Sequence, residues 1–364
     1  MKLFRNIREV STVKERKILL SIIIPIYNSE KHLCECLDSL INQGVSPELY
    51  EILCIDDGSS DNSCRIIEDF SESHENIQCF HQDNSGVSVA RNNGIKLARG
   101  NYIWFIDSDD YASINSLSVL LSVIDRQTYD RVVFRFYITS FSYDKYQTNP
   151  KVVEQLKPRR TDGSVCTSVY KRSFLIDNEL YFQKGILAGE DSLFNFELYK
   201  KKGSLHSIEN TLYFYRINES SVTKTKSNIE KILKAYLLCA ENVKQYFDVE
   251  VQKDPRTIRY IFSELEYAMT LVASLVFEKR EKFLLYIINN SLFPFFWGKP
   301  VKYSVYSNAH GFHLLLVCVL SKVNIFSWII KMWAKIHNSR IRKITENKIK
   351  QIILKQGNRR EKIS

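Results

Sequence analysis

Apolar residues in the first third of the chain come in short runs, separated by stretches whose apolar positions recur at helical spacing. Leu19 to Ile24 is rich in β-branched residues and stops at Pro25, which predicts a buried strand. Ser29 reads as the N-cap of a helix with Leu33, Leu37, Leu40 and Ile41 on one face. Tyr50 to Ile55 predicts a second strand, ending in Asp56-Asp57-Gly58-Ser59. A helix carrying Ile66, Ile67 and Phe70 follows, then a shorter strand from Ile77 to His81. Ser85 to Arg99 predicts a helix with Val89, Ala90, Gly94, Leu97 and Ala98 turned inward and Gly100 as its cap. Tyr102 to Ile106 is a fourth strand, and it runs straight into Asp107-Ser108-Asp109-Asp110.

Apolar strands alternating with helices predict an α/β sheet, mostly parallel and covered on both faces. In open sheets of this kind ligands bind outside the carboxyl ends of the strands. Asp56, Asp57, Asp107, Asp109 and Asp110 all fall on that edge.

Beyond Tyr111 the pattern changes. A helix is expected near 115–126 and a strand near 130–138. Residues 141–163 are polar, hold Pro150, Pro158 and Gly163, and read as a mobile loop. Helical spacing returns over 190–201, and Leu212 to Tyr215 reads as a short strand. Helices are then expected at 228–247, 256–278 and 281–291, followed by apolar clusters at 292–297 and 312–320. The organisation read from this is a polar segment 1–17, an α/β domain 18–225, a helical subdomain 226–310 and an apolar, basic tail 311–364. No internal repeat is found.

Charge sharpens the last boundary. The 364 residues carry a formal +10. From Lys331 to the end there are eleven Lys/Arg against two Asp/Glu, so the rest of the chain is close to neutral. Trp297, Trp328 and Trp333 beside those cations suit the surface of an anionic membrane. A solvated helical end, or a contact in a homodimer, fits the same composition. No nucleic-acid motif accompanies the charge, so no nucleic-acid partner is expected. No stretch reaches the ~18 apolar residues of a spanning helix. The eight cysteines form no C-x-x-C pair and show no zinc-finger spacing, and they read as reduced. A cytoplasmic protein, peripheral on the inner face of the membrane, is the expectation.

Three carboxylates in four positions repel one another unless water or a cation screens them. Mg²⁺ and Mn²⁺ favour oxygen ligands and usually take one or two carboxylates plus phosphate oxygens. Asp107-x-Asp109 at a strand end fits that chemistry. Neither G-x-G-x-x-G nor G-x-x-x-x-G-K-[ST] is present, so a nucleotide would be held otherwise than in Rossmann or P-loop proteins.

The motifs together resemble family 2 glycosyltransferases. Four segments carry the resemblance, in order: Ser21 to Asn28 (SIIIPIYN), Ile55 to Ser59 (IDDGS) with Asp61, Asn84 to Gly94 (NSGVSVARNNG) and Phe105 to Asp110 (FIDSDD). The similarity spans about 19–225 and implies the GT-A fold, a nucleotide-diphospho-sugar binding architecture. It further implies that Pro25, Tyr27 and Glu30 flank the nucleotide, that Asp56 and Asp57 sit near base and ribose, and that Arg91 closes the base pocket. Asp107 would reach ribose or metal, with Ser108 beside it. Asp109 would coordinate Mn²⁺ or Mg²⁺, and Asp110 would play a supporting part.

Gly189-Glu190-Asp191 resembles the family's E-D motif, which makes Asp191 the implied general base and puts Glu190 on the acceptor side. The segment 165–174 resembles one lining the acceptor, with Tyr170 as its aromatic. Arg216, after Tyr213-Phe214-Tyr215, is the implied diphosphate contact. His206 reads as structural or as an extra metal ligand. The implied activity is inverting transfer of a sugar from a nucleotide-diphospho-sugar donor, a UDP-sugar in the first instance. The implied acceptor is a hydroxyl of a glycan or lipid-linked saccharide. The chain lacks the Q-x-x-R-W motif and the membrane helices of processive members. Two other readings stand beside this one, a nucleotidyltransferase of related architecture and a catalytically silent carbohydrate-binding or scaffold protein. The missing basic phosphate loop argues against the first, and intact Asp109 and Asp191 argue against the second.

Overall fold

A computed structural model describes residues 18–217, apart from 127, 160–162 and 187–188. The expected helices beyond 226 and the basic tail lie outside the described residues. Four strands, β1 (Leu20–Ile26), β2 (Tyr50–Asp56), β3 (Ile77–His81) and β4 (Tyr102–Phe105), form a parallel sheet in the order β3-β2-β1-β4. Every residue of β1, β2 and β4 is buried, as strands covered on both faces require. Helices α1 (Leu33–Ile41), α2 (Ser63–Ser73) and α3 (Val87–Leu97) connect them.

The sheet continues past β4 with four further strands. They are β5 (Tyr111–Ala112), β6 (Arg131–Thr139), β7 (Ser168–Lys171) and β8 (Leu205–Arg216), and the full order is β3-β2-β1-β4-β7-β6-β8-β5. β7 runs antiparallel to both β4 and β6, so the sheet is mixed. Helices α4 (Ser116–Arg126), α5 (Tyr143–Thr148), α6 (Arg172–Asp177) and α7 (Glu190–Lys200) complete this unit. This mixed sheet with its connecting helices is the α/β architecture expected of a GT-A fold.

Strand order reverses between β1 and β4, because β2 and β3 are laid down on one side of β1 and β4 on the other. At such a switch point the two neighbouring loops part and leave a crevice. Here the loops are 27–32, after β1, and 106–110, after β4.

Three local expectations are corrected. Ser29 is not the N-cap of α1; its carbonyl accepts from the amides of His32 and Leu33 in a preceding turn, which frees its hydroxyl for Ser108. Gly100 does not end α3 in a left-handed cap. A Cβ there would lie 2.6 Å from the Ser21 nitrogen, so the glycine lets the chain pass against β1, where its amide donates to Ser21 Oγ at 2.8 Å. Residues 141–163 are not one open loop. Ser142 Oγ caps α5 by accepting from the Lys145 amide, and Tyr143 and Tyr146 pack with Tyr111 and Phe214 in a small aromatic cluster.

Polar groups buried in this sheet are paired. Glu51, 1% exposed on β2, accepts from Ser21 Oγ, from the Arg99 amide and guanidinium, and from Gln78. An apolar reading of β2 passes over it.

Candidate active site

The loop after β1 is fastened to the loop after β2. Asn28, in the left-handed region at φ +50°, accepts from the Ser60 amide and donates its own amide to Ser59 Oγ. Glu30 accepts from the Asn62 amide and side chain, and its amide donates to Asp61. Tyr27 is left half exposed beside Pro25. A polar run, Ser59 to Ser63, directly after a buried strand was the signal for these partners.

Asp56 and Asp57 close β2 and are both buried. Oδ1 of Asp57 accepts from Gln82 and the Ser85 amide, and Oδ2 accepts from the Gly86 amide, so this carboxylate holds the entry to α3. Asp56 accepts from the Ser59 amide, Cys64 Sγ and His81 Nδ1. Burial pushes the Asp56 carboxyl up, but those donors outweigh it and hold the group below the usual carboxylate range.

Across β1, the loop after β4 is built from both sides. Ser108 Oγ lies 2.6 Å from Ser29 Oγ and ties the two switch-point loops together. Asp110, 1% exposed, accepts from the Tyr213 hydroxyl and, at 2.7 Å, from the Arg216 amide. Burial, reinforced by Asp109 and Asp107, drives Asp110 well above the ordinary carboxylate range. Its work is to anchor the loop to β8. Arg216 is 7% exposed, donates to the Asp109 carbonyl and to Glu35, and lies over the Tyr111 ring. In this structure it braces the Asp109 loop. Glu35, which sequence reasoning missed, also accepts from the Tyr143 amide. Burial raises Glu35, and the Tyr143 and Arg216 donors more than reverse the shift.

Asp107, at the end of β4, and Glu190 and Asp191, on α7, share one buried cation. Arg91, on α3 and 3% exposed, donates to Asp107 Oδ1 at 2.8 Å, Asp191 Oδ1 at 2.7 Å and Glu190 Oε1 at 3.1 Å. Its guanidinium rests on the Phe182 ring, 5.2 Å from the centroid. Arg91 was expected to close a base pocket; the structure places it between the end of β4 and the first turn of α7. Gly189, at φ +84° and ψ +2°, makes the left-handed turn into α7 that a side chain would resist, and so presents Glu190 and Asp191. Asp191 Oδ2 also accepts from the Val165 amide. Burial raises both carboxyls; Arg91 pulls each back down, while Asp107 pushes each up. For Glu190 the charge of Asp191 adds to the rise.

The sequence model of glycosyl transferase family 2 matches residues 21–203, half of the chain. The chain belongs to that family. EpsJ of Bacillus subtilis, a glycosyltransferase described as uncharacterized, is 36% identical over 219 residues, covering 57% of this chain and 63% of EpsJ. The chain thus spans less than two thirds of that relative's length. Among solved structures, residues 1–349 of TarS from Staphylococcus aureus, in complex with UDP-GlcNAc, align with TM-score 0.58 and 21% identity, over 74% of this chain and 79% of that one. A mannosyltransferase from Pyrobaculum calidifontis, in complex with GDP-Man and Mn²⁺, aligns with TM-score 0.53 and 12% identity, over 90% and 87%. At these identities the two structures show the fold.

Within this family frame, one placement differs from the sequence expectation. Tyr170 does not line an acceptor groove. It is fully buried, packs on Phe105 and Phe194, and donates its hydroxyl to Asn195 Oδ1 at 2.7 Å. Its place on β7, between β4 and β6, turns it into the core. His206, on β8, stacks on Tyr129 with ring centroids 4.5 Å apart, as the structural reading expects.

The donor set suits a hard divalent cation at the end of β4. Asp107 is 34% exposed at its side chain, and among the described residues no hydrogen bond reaches its Oδ2. Asp109 is partly exposed in the same loop. One or two carboxylates, with phosphate oxygens to complete the shell, is the usual way such ions are held.

Proposed function

We propose that this protein is an inverting, metal-dependent glycosyltransferase using a UDP-sugar donor and a hydroxyl of a glycan or lipid-linked saccharide as acceptor. One observation carries the reading. Arg91 joins Asp107, at the edge where a donor diphosphate is expected, to Asp191, the candidate base. On this reading the donor-side and acceptor-side residues are neighbours, joined through Arg91. UDP-GlcNAc in the TarS structure supports the donor class, and Mn²⁺ in the mannosyltransferase structure supports a divalent ion at Asp107 and Asp109.

The residues divide the work. Tyr27, Glu30, Asp56 and Asp57 frame the nucleoside end, at the carboxyl ends of β1 and β2. Asp107 and Asp109 would hold the ion, whose charge would offset that of the departing diphosphate. Asp191 accepts the proton of the acceptor hydroxyl as that oxygen attacks the anomeric carbon. The C–O bond to the diphosphate breaks on the opposite face, and the anomeric configuration inverts. A positioned carboxylate contributes a typical ~10²–10⁴-fold to such a step. Arg91 keeps Asp191 oriented and Asp110 keeps the metal loop in place; both act through their neighbours.

Asp191→Asn tests the assignment. The variant should bind UDP and Mn²⁺ as the wild type does and lose transfer. Retained transfer would remove Asp191 from the mechanism. The basic tail, outside the described residues, supports the further proposal of attachment to an anionic membrane on the cytoplasmic side.

A further inference from the structure

A second group of ligand atoms sits on the opposite flank of β1 from Asp107 and Asp109. Asp56 ends β2, His81 ends β3, and the two stand opposite each other in the parallel register. Cys64 lies in the first turn of α2, directly above them. Asp56 Oδ2 is 3.2 Å from Cys64 Sγ and 3.2 Å from His81 Nδ1, and Cys64 Sγ is 3.8 Å from His81 Nδ1. Among the described residues this is the one group of three or more His, Cys, Asp or Glu whose ligand atoms are all close enough to share an ion.

The spacing is that of a metal face. Zinc bonds of about 2.0–2.3 Å at a tetrahedral angle put neighbouring oxygen, nitrogen and sulfur ligands about 3.4–3.6 Å apart. The three observed separations fall within about 0.4 Å of those edges. The ligand types also discriminate. Thiolate and imidazole favour Zn²⁺ and its borderline-soft relatives, whereas Mg²⁺ and Mn²⁺ favour the all-oxygen pair at Asp107 and Asp109.

Orientation and access agree. Cys79, two residues before His81 on the same face of β3, places its sulfur 3.2 Å from His81 Nε2. That contact engages the far nitrogen of the ring and turns Nδ1 toward Asp56 and Cys64, as partners behind metal-binding histidines do. His81 is 49% exposed at its side chain, so an ion can enter and a water can fill a fourth position. We propose that Asp56, Cys64 and His81 form a binding site for a borderline-soft divalent cation, Zn²⁺ being the type case, at the carboxyl ends of β2 and β3. The site shares Asp56 with the nucleoside end of the proposed donor site, and its test uses metal alone, without donor. Binding breaks the Cys64 S–H bond, forms a metal–sulfur bond and releases one proton to solvent. Because that proton must leave, binding tightens as pH rises.

Cobalt(II) titration of the full chain, after removal of metals by chelation, tests this. The expected result is a thiolate-to-cobalt charge-transfer band in the near ultraviolet that Zn²⁺ then bleaches. Cys64→Ser should abolish the band, and His81→Gln should weaken Co²⁺ binding at least about tenfold. Cys79→Ser should keep the band. No band in the wild type, a band that survives Cys64→Ser, or unchanged Co²⁺ affinity in His81→Gln would each overturn the proposal. His81 is exposed and Cys64 partly exposed, and circular dichroism checks that the variants fold.

Discussion

Arg91 is the residue on which the candidate site turns. A guanidinium 3% exposed is tolerable only because three carboxylates surround it, and it in turn offsets the burial of Glu190 and Asp191. Removing one partner of such a buried set costs about 3–5 kcal/mol. Arg91→Gln should therefore lose stability of that order near pH 7, measured by denaturant unfolding. The loss should shrink on acidification. Asp191 and Glu190 already hold their protons above the usual carboxylate range, through burial first. Without Arg91 they hold them more tightly still, and once protonated they need no cation. A destabilisation independent of pH would show that Arg91 acts through packing on Phe182 instead. Asp107 and Asp191 were each marked by motif, but nothing in the order of residues tells that one arginine joins them. Its partners lie 16, 99 and 100 positions away.

At the scale of elements, close packing fixes where the site loops start. Gly94 on α3 and Gly100 before β4 are both approached by β1; a Cβ on Gly94 would lie 2.4 Å from Ile23 Cγ2. Gly100→Ala forces a methyl against β1 backbone, which cannot give as a side-chain end can. It should cost about 1–3 kcal/mol and lower the melting temperature by several degrees. An unchanged melting temperature would mean that β1 and β4 separate without penalty. β1, β2 and β4 were legible as apolar, fully buried runs, and α1 by its apolar face. β5 and β7 were not. Tyr111–Ala112 is two residues long, and Ser168–Lys171 takes its strand form from pairing with β4 and β6, not from a pattern of its own. α5 was hidden because its anchoring residues are tyrosines within a polar stretch. Tyr170 was misplaced for the same reason as β7: an aromatic in an unrecognised central strand looks like a lining residue until the strand is seen.

At the scale of the molecule, the proposed donor site crosses three adjacent strand ends, β2, β1 and β4. With strands ~4.8 Å apart, Asp56 and Asp57 stand roughly 10 Å from the Asp107 loop. A donor spanning that width would place its base over β2 and its diphosphate over β4, which matches the division of roles proposed above. Among the described residues no helix is long and apolar enough to cross a membrane. If the basic tail is the membrane contact, the full chain should float with vesicles containing anionic lipid and be released by high salt. Flotation that persists in high salt would point to apolar attachment, and no flotation would remove the proposal. The central claim is that Asp107 and Asp109 make nucleotide-sugar binding depend on a divalent ion. Calorimetric titration of UDP- and GDP-sugars with and without Mn²⁺, on the wild type and on Asp109→Ala, measures it directly. The account predicts saturable binding of a UDP-sugar that requires Mn²⁺ and is lost or strongly weakened in Asp109→Ala; equal affinity without the ion, or in the variant, would contradict it.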